Sequence, residues 1–434
     1  LFGKLRYNGS LLPHPNITNM RRPSKFFPNK LSADSQRLIS LAQETAKATS
    51  RLEKRVWENS MDAIAQKLLK AKRQDAIDAA LDQLFKTEIN AYDALLQTVE
   101  AASESCTIEH EGEQYDVLLI AAPILVWTRF SIPSGPIAED TQATLAMHLS
   151  AHVLAENTRI AIAPILFAID QLPFTHSDTF AITKNLAHAA LKGITYRATG
   201  DQPETAPFLA DTRYLLAAVA APTGKPLFRW QTAHTPASAA TQRIEALAQW
   251  QAQGGPNIAR LLTGCNLELL LPEAYFAACR KADMQIRPAS IRSAVHYLTE
   301  TLGVDTAGLY AVVAGFGDIS SGTPLSEYRV GFATRKNDEI VYGIVWPLYG
   351  QEESEDEMPI IATPSIDMNR RKTPIEEILA LLQESGVACE KHHQERFPME
   401  FCDDCGAPMF ADINGNLVHA EMPEDVPQGA ARLH

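Results

Sequence analysis

The chain has no apolar run of the eighteen or so residues that a membrane-spanning helix needs. The longest candidate, Val117 to Trp127, is short and interrupted by Pro123. Its beginning also lacks the sustained apolar core and small-residue cleavage site of a secretory signal. Cysteine is scarce, with six in 434 residues, and three of these fall at or after Cys389. That is too few for a disulfide scaffold, so reduced thiols in a cytoplasmic protein are the simplest reading. The Asn16-Ile17-Thr18 sequon then has no glycan to carry. No Gly-x-x-x-x-Gly-Lys-Ser/Thr, Gly-x-Ser-x-Gly or His-Glu-x-x-His occurs, which removes the common templates for NTPases, hydrolases and zinc proteases.

Acidic residues are missing from the first thirty positions. Residues 1–30 contain Lys4, Arg6, Arg21, Arg22, Lys25 and Lys30 and no Asp or Glu, a net +6, whereas the whole chain is at -13. The remainder, at -19, works against sequence-independent binding of nucleic acid, while the basic start suits phosphate contacts with RNA or the ribosome. Met20-Arg21-Arg22-Pro23 reads as a natural start, which N-terminal mass spectrometry of native protein would check.

What is present reads as a folded protein of several parts, since 46% hydrophobic and 21% charged residues are globular values and the length exceeds one ordinary core. Residues 32–104 predict helices. Ser32 is a good N-cap, Leu52, Val56 and Trp57 begin a second segment, and apolar stripes are evident at Leu38/Ile39/Leu41/Ala42, Ile64/Leu68/Leu69, Ala76/Ile77/Ala80/Leu81/Leu84/Phe85 and Tyr92/Leu95/Leu96/Val99. From Cys106 the pattern changes to short apolar runs alternating with helical stretches. Strands are expected over 115–122, 159–169, 214–221 and 226–230, the last two as a hairpin about Pro222-Thr223-Gly224-Lys225. Helices are expected over 140–156, 179–191 and 238–262.

A similar order recurs toward the C-terminus. Strands are expected at 266–271 and 309–315, with a loop holding Arg287 and Pro288 and a helix over 289–302 between them. Tyr328, Val330 and Phe332 alternate with Glu327, Arg329 and Gly331, as a half-buried strand requires, and 340–346 pairs back across Lys336-Asn337-Asp338. The expected fold is α+β: an N-terminal helical segment, two related split β-α-β-like units with mainly antiparallel sheets and helices on one face, and a C-terminal zinc-knuckle-like hairpin. The expected boundaries are a basic tail at 1–31, helices at 32–104, α+β units at 105–263 and 264–388, and the knuckle and tail at 389–434.

The clearest chemical signal is Cys402-Asp403-Asp404-Cys405-Gly406. Two cysteines with two residues between them can wrap one ion, and the adjoining glycine permits the tight turn. The expected ligands are Cys402, Cys405 and His419 around a structural zinc. The fourth stays open among Asp412, Glu421, Cys389, His392 and His393. A metal-free knuckle and a redox pair are the rival readings.

Weaker signals each have an ordinary structural reading beside the chemical one. His148, His152 and Glu156 share a predicted helical face that could chelate a metal or simply be exposed. Arg287 and Arg292 flank an expected helix start, where an anion could bind, or they are solvated. Trp127, Trp230 and Trp346, beside Arg129 and Arg229, suit packing before ligand stacking. Ala314-Gly315-Phe316-Gly317-Asp318 ends a strand without the helix that a nucleotide loop requires. Glu352-Glu353-Ser354-Glu355-Asp356-Glu357 is a solvated block or a lid.

Several stretches together carry a resemblance. These are Met20-Arg21-Arg22-Pro23-Ser24-Lys25-Phe26, Leu118-Leu119-Ile120-Ala121-Ala122-Pro123, Glu204-Thr205-Ala206-Pro207-Phe208-Leu209-Ala210-Asp211, Val313-Ala314-Gly315-Phe316-Gly317 and the Cys402 knuckle. The chain resembles the bacterial family known as domain of unknown function 2863 over most of its length. The resemblance implies a bacterial cytoplasmic home and a start at Met20, and it brings no activity and no site residues. The expected function is a non-catalytic regulatory or binding protein. Alternatives are an enzyme with a small anionic substrate between the two units, and a homo-oligomeric scaffold.

Overall fold

The computed structural model describes residues 31–129, 132–173, 175–196, 209–317, 325–348 and 372–423. The basic start, Met20, the sequon, Asp318 and the acidic block at 352–357 lie outside the described residues. No described helix is long and apolar enough to cross a membrane.

The expected helical segment is present as α1 (Ala33–Lys47), α2 (Arg51–Lys70), α3 (Gln74–Thr87) and α4 (Ile89–Glu104). Ser32 caps α1 by accepting the Ser35 N–H at 3.0 Å, and Ser50 caps α2 through the Glu53 N–H at 3.1 Å. The apolar stripes read from the sequence meet in one core, with Leu38, Met61, Ile77, Leu84 and Leu95 all buried, but Leu52 and Val56 at the start of α2 are exposed and lie outside it. Phe180 of α6 (His176–Lys192) enters the same core and ties the bundle to the helices of the first sheet.

The first sheet is built on β2 (Glu113–Trp127). Along one edge β2 pairs in turn with β1 (Ser105–His110), β7 (Glu273–Ala274) and β6 (Asn266–Leu269). Its other edge pairs with β5 (Ala210–Pro222), then come β4 (Arg159–Ala168) and β3 (Gly135–Pro136), all antiparallel. Helices cover both faces, not one as expected. Ile120, Ala122, Ile124 and Val126 pack under α5 (Glu139–His152) and α7 (Pro236–Leu261), while Leu119, Ala121 and Leu125 pack under α6 and α8 (Tyr275–Leu302). The run from Leu118 to Val126 is unbroken by polar residues for that reason: neither side of the strand meets water.

The expected hairpin strand at 226–230 is a second difference. Gln231 Oε1 accepts the Leu227 and Phe228 N–H groups at 2.7 and 2.9 Å, serving donors that a strand neighbour would otherwise satisfy. Phe228 and Trp230 then stack at 4.6 Å within the core below α7. A third difference is the loop expected at Arg287-Pro288. Helix α8 runs through Pro288 without ending. Its first half, with Phe276, Cys279 and Ala282, packs on the first sheet, and its second half, with Ile291, Ala294 and Leu298, packs on the second. Burial on two cores outweighs the missing proline N–H.

The second sheet has the order β10-β9-β8-β11. Its strands are β8 (Leu309–Phe316), β9 (Glu327–Thr334), β10 (Asn337–Pro347) and β11 (Ala388–Phe397), the last parallel to β8. One face, with Val313, Val330 and Phe332, packs on α8 and α9 (Pro374–Glu384). The opposite face, with Tyr310, Val312 and Ile340, is covered by the C-terminal ribbon through Phe410. Every residue of β9 is therefore buried, which corrects the expectation that Glu327 and Arg329 face water. Strand β11 carries the second sheet past residue 388, and β6 and β7 belong to the first sheet although they come after residue 264. The element order is strand-strand-helix-strand-helix-strand-helix from β2 to α7, but helix-strand-strand-strand-helix-strand from α8 to β11.

Candidate metal centre

The C-terminal ribbon consists of two tight turns. In the first, the Cys402 N–H donates to Ala407 O at 2.7 Å and the Gly406 N–H to Cys402 O at 2.8 Å, with Phe401 bridging Pro408. Gly406 has φ +73°, a conformation that glycine takes without the steric cost other residues meet. In the second turn Asp412 accepts the backbone N–H groups of Asn414 and Asn416, both at 2.8 Å, and the Asn416 side-chain amide at 2.9 Å. This aspartate-led turn joins β12 (Phe410–Ala411) to β13 (Leu417–Val418) and sends the chain back past the cysteines.

His419 consequently meets the cysteine turn. Its Nε2 lies 3.2 Å from Cys405 Sγ, and the ligand atoms of Cys402, Cys405 and His419 all fall within 4.8 Å of one another. A tetrahedral zinc would place sulfur and nitrogen about 3.6 Å apart, and two sulfurs about 3.8 Å apart. The three side chains could therefore hold a metal ion. Glu421 accepts from His419 Nδ1 at 3.1 Å, which directs Nε2 toward the cysteines. Metal-bound histidines are commonly oriented by such a carboxylate. The Cys402 thiol is drawn below its ordinary range, first by the Cys405 backbone N–H and next by that of Asp404. The donors favour the thiolate, which is the form that ligates.

The other residues named for the fourth position are engaged elsewhere. Asp412 holds its turn. His393 is buried, with Nε2 2.8 Å from Asp412 O, and supports the ribbon from β11. Cys389 donates to Lys391 O at 3.4 Å, and His392 Nδ1 lies 3.1 Å from the Gln394 amide. Among the described residues, the gathered ligand atoms are those of Cys402, Cys405 and His419.

Arg329 is not marked as a site residue by any sequence motif. It is buried on β9, with Nε 2.6 Å from Glu327 Oε1. Its Nη1 donates to Glu400 O at 2.8 Å and Met409 O at 2.5 Å, one carbonyl on each side of the cysteine turn. The guanidinium also lies 4.2 Å from the Phe316 ring centre and 5.1 Å from that of Phe401. The one available signal was an arginine two residues after a glutamate on an otherwise apolar strand.

The remaining candidates are dispersed. Arg287 is buried in the middle of α8, donating to Pro347 O and lying 5.3 Å from the Trp346 ring centre. Arg292 is exposed and pairs with Glu384 at 3.2 Å. Neither stands at a helix N-terminus, the feature on which the anion reading rested. His148 and His152 stack at 6.2 Å on α5, and Glu156 lies beyond the end of that helix. Trp230 and Trp346 are buried as packing residues, Trp127 is partly so, and Arg229 donates to Leu154 O at 3.3 Å.

A family model described as "Protein of unknown function (DUF2863)" matches residues 23–433. No curated protein and no solved structure matches the chain. With nearly its whole length covered by that model, the chain belongs to the DUF2863 family.

Proposed function

We propose that this is a non-catalytic regulatory or binding protein whose C-terminal ribbon is held in shape by one structural zinc. The observation that supports it is the convergence of Cys402, Cys405 and His419, with Glu421 behind the histidine. Two thiolates and an imidazole form a soft donor set suited to zinc, which brings no redox chemistry of its own. The ribbon is too small to have a core of its own, so a metal would supply the cross-link that packing does not. A reducing, cytoplasmic setting suits such thiolates. The enzyme reading draws no support from Arg287 and Arg292, whose guanidinium groups go to different partners.

Elemental mass spectrometry of untagged protein prepared without chelator tests the reading. About one zinc per chain, lost in the Cys402→Ser, Cys405→Ser double variant, is the expected result. Metal-free wild-type protein would refute it.

The same proposal places an RNA contact on residues 1–30, from their +6 charge. Binding that weakens steeply with salt and disappears when residues 1–30 are deleted is expected. Binding indifferent to both would remove that part.

A further inference from the structure

We infer that Arg329 is a positioning residue for the metal centre, setting metal affinity without touching the metal. The inference rests on the proposed zinc reading and adds a specific determinant to it.

The two cysteines belong to one turn, and a turn chelates well only if its two stems are held together before the ion arrives. Two backbone hydrogen bonds close the neck, Cys402 N to Ala407 O at 2.7 Å and Met409 N to Glu400 O at 3.1 Å, and together they make the bridge between Phe401 and Pro408. Isolated, so short a ribbon would lose these bonds to water. Arg329 reinforces them from below by binding the carbonyls of Glu400 and Met409 with a single nitrogen, one from each stem. Its other groups are held too, Nε by Glu327 at 2.6 Å and Nη2 by Met399 Sδ at 3.9 Å. The Phe316 and Phe401 rings flank the plane, and Phe401 immediately precedes the first cysteine. The cation thus ties the neck to β9, a strand in the interior of the second sheet.

His419 is placed by a separate device. The pairing of β12 with β13 carries it, and Phe410 anchors that pair against the sheet. Arg329 therefore acts on the cysteine pair, and its loss should raise the ordering cost of binding while leaving the ligand set unchanged. Residues that orient metal ligands without binding the ion typically matter about 10–100-fold in affinity.

The test is zinc affinity of the full chain, measured by competition with a chromophoric chelator. It compares wild type, Arg329→Met, Arg329→Lys and Arg213→Met. Arg213 is a buried arginine of the first sheet, paired with Asp211, and its variant controls for general destabilisation. Arg329→Lys keeps the charge but not the guanidinium geometry, and it serves should the methionine variant fail to fold.

We expect Arg329→Met to weaken zinc binding about 10–100-fold and Arg329→Lys to fall between it and wild type. Arg213→Met should stay within about 3-fold of wild type, since sites this separate behave independently. Cobalt at saturation should give the same thiolate and tetrahedral absorption bands in Arg329→Lys as in wild type. Wild-type affinity in Arg329→Lys would overturn the inference. So would an equal loss in Arg213→Met, which would reduce the effect to overall stability. Absence of zinc binding in wild type would instead defeat the metal reading itself, and this inference with it.

Discussion

Two buried arginines, one in each sheet, make an informative comparison. Arg213 on β5 sits two residues after Asp211, and Arg329 on β9 sits two residues after Glu327; each pair forms an ion pair inside the protein. The local sequences correspond, Leu209-Ala210-Asp211-Thr212-Arg213 against Leu325-Ser326-Glu327-Tyr328-Arg329. Burial raises both carboxylates, and the adjacent guanidinium draws each back down. Both arginines also donate to backbone carbonyls of a segment remote in the chain. Arg213 holds Ile132 O and Pro133 O, each at 2.8 Å. These are adjacent residues, so Arg213 pins one segment to the sheet. Arg329 binds carbonyls on opposite stems of a turn, so it closes that turn as well as pinning it. The same arrangement, a carboxylate two residues before an arginine, is an anchor in one sheet and a clasp in the other, and the difference lies in what covers the strand.

Truncating each cation tests whether the two ion pairs are equivalent. Arg213→Met and Arg329→Met should each destabilise the protein by about 3–5 kcal/mol, because each leaves a buried carboxylate uncompensated. Chemical denaturation measures both. A loss under about 1 kcal/mol in either would mean that the two pairs are not equivalent in energy. What should separate them is the ribbon, which only the Arg329 variant should free for limited proteolysis after residue 397.

A smaller effect distinguishes the two means of holding the ribbon. Phe410 is buried against Gly343, where an added Cβ would come within 2.1 Å of its ring. Phe410→Ala should cost about 3 kcal/mol in stability and Gly343→Ala about 1–3 kcal/mol, the first by a cavity and the second by overpacking. Unchanged stability in Gly343→Ala would show that the ribbon rides loosely on the sheet.

A half-buried carboxylate stands at the junction of the bundle with α8. There Glu104 accepts the Phe276 N–H at 3.0 Å near the start of α8, and Arg280 binds both oxygens of Glu100 at 2.7 and 2.8 Å. Burial drives Glu104 up to about 7, and the nearby Glu100 charge adds to the rise. A carboxyl whose folded pKa is raised contributes stability below its unfolded value near 4.5, and that contribution is lost as pH climbs toward 7. Glu104→Gln should therefore flatten the decline of stability across that window by up to roughly 3 kcal/mol. Denaturation at several pH values checks it, and an unaltered slope would place the pH dependence elsewhere.

The amino-acid sequence by itself determined the N-terminal helices, because each stripe of apolar residues recurs with helical spacing and needs only its neighbours to be buried. The group of Cys402, Cys405 and His419 that could hold a metal ion was legible as well, since two cysteines within one turn and a histidine after the next are a local arrangement. Tertiary structure decided the rest. Strand β11, Ala-Cys-Glu-Lys-His-His-Gln-Glu-Arg-Phe, has little apolar patterning, for it lies at a sheet edge and takes its place by pairing with β8. Helix α8 continues through Pro288 because its two halves are buried on different sheets, which no single apolar stripe records. Arg329 read as solvent-facing because its strand alternates, and alternation shows that two faces differ, not that the polar one is wet. The ribbon that covers it lies some seventy residues further along the chain, and contact between positions so far apart is set only when the chain has folded.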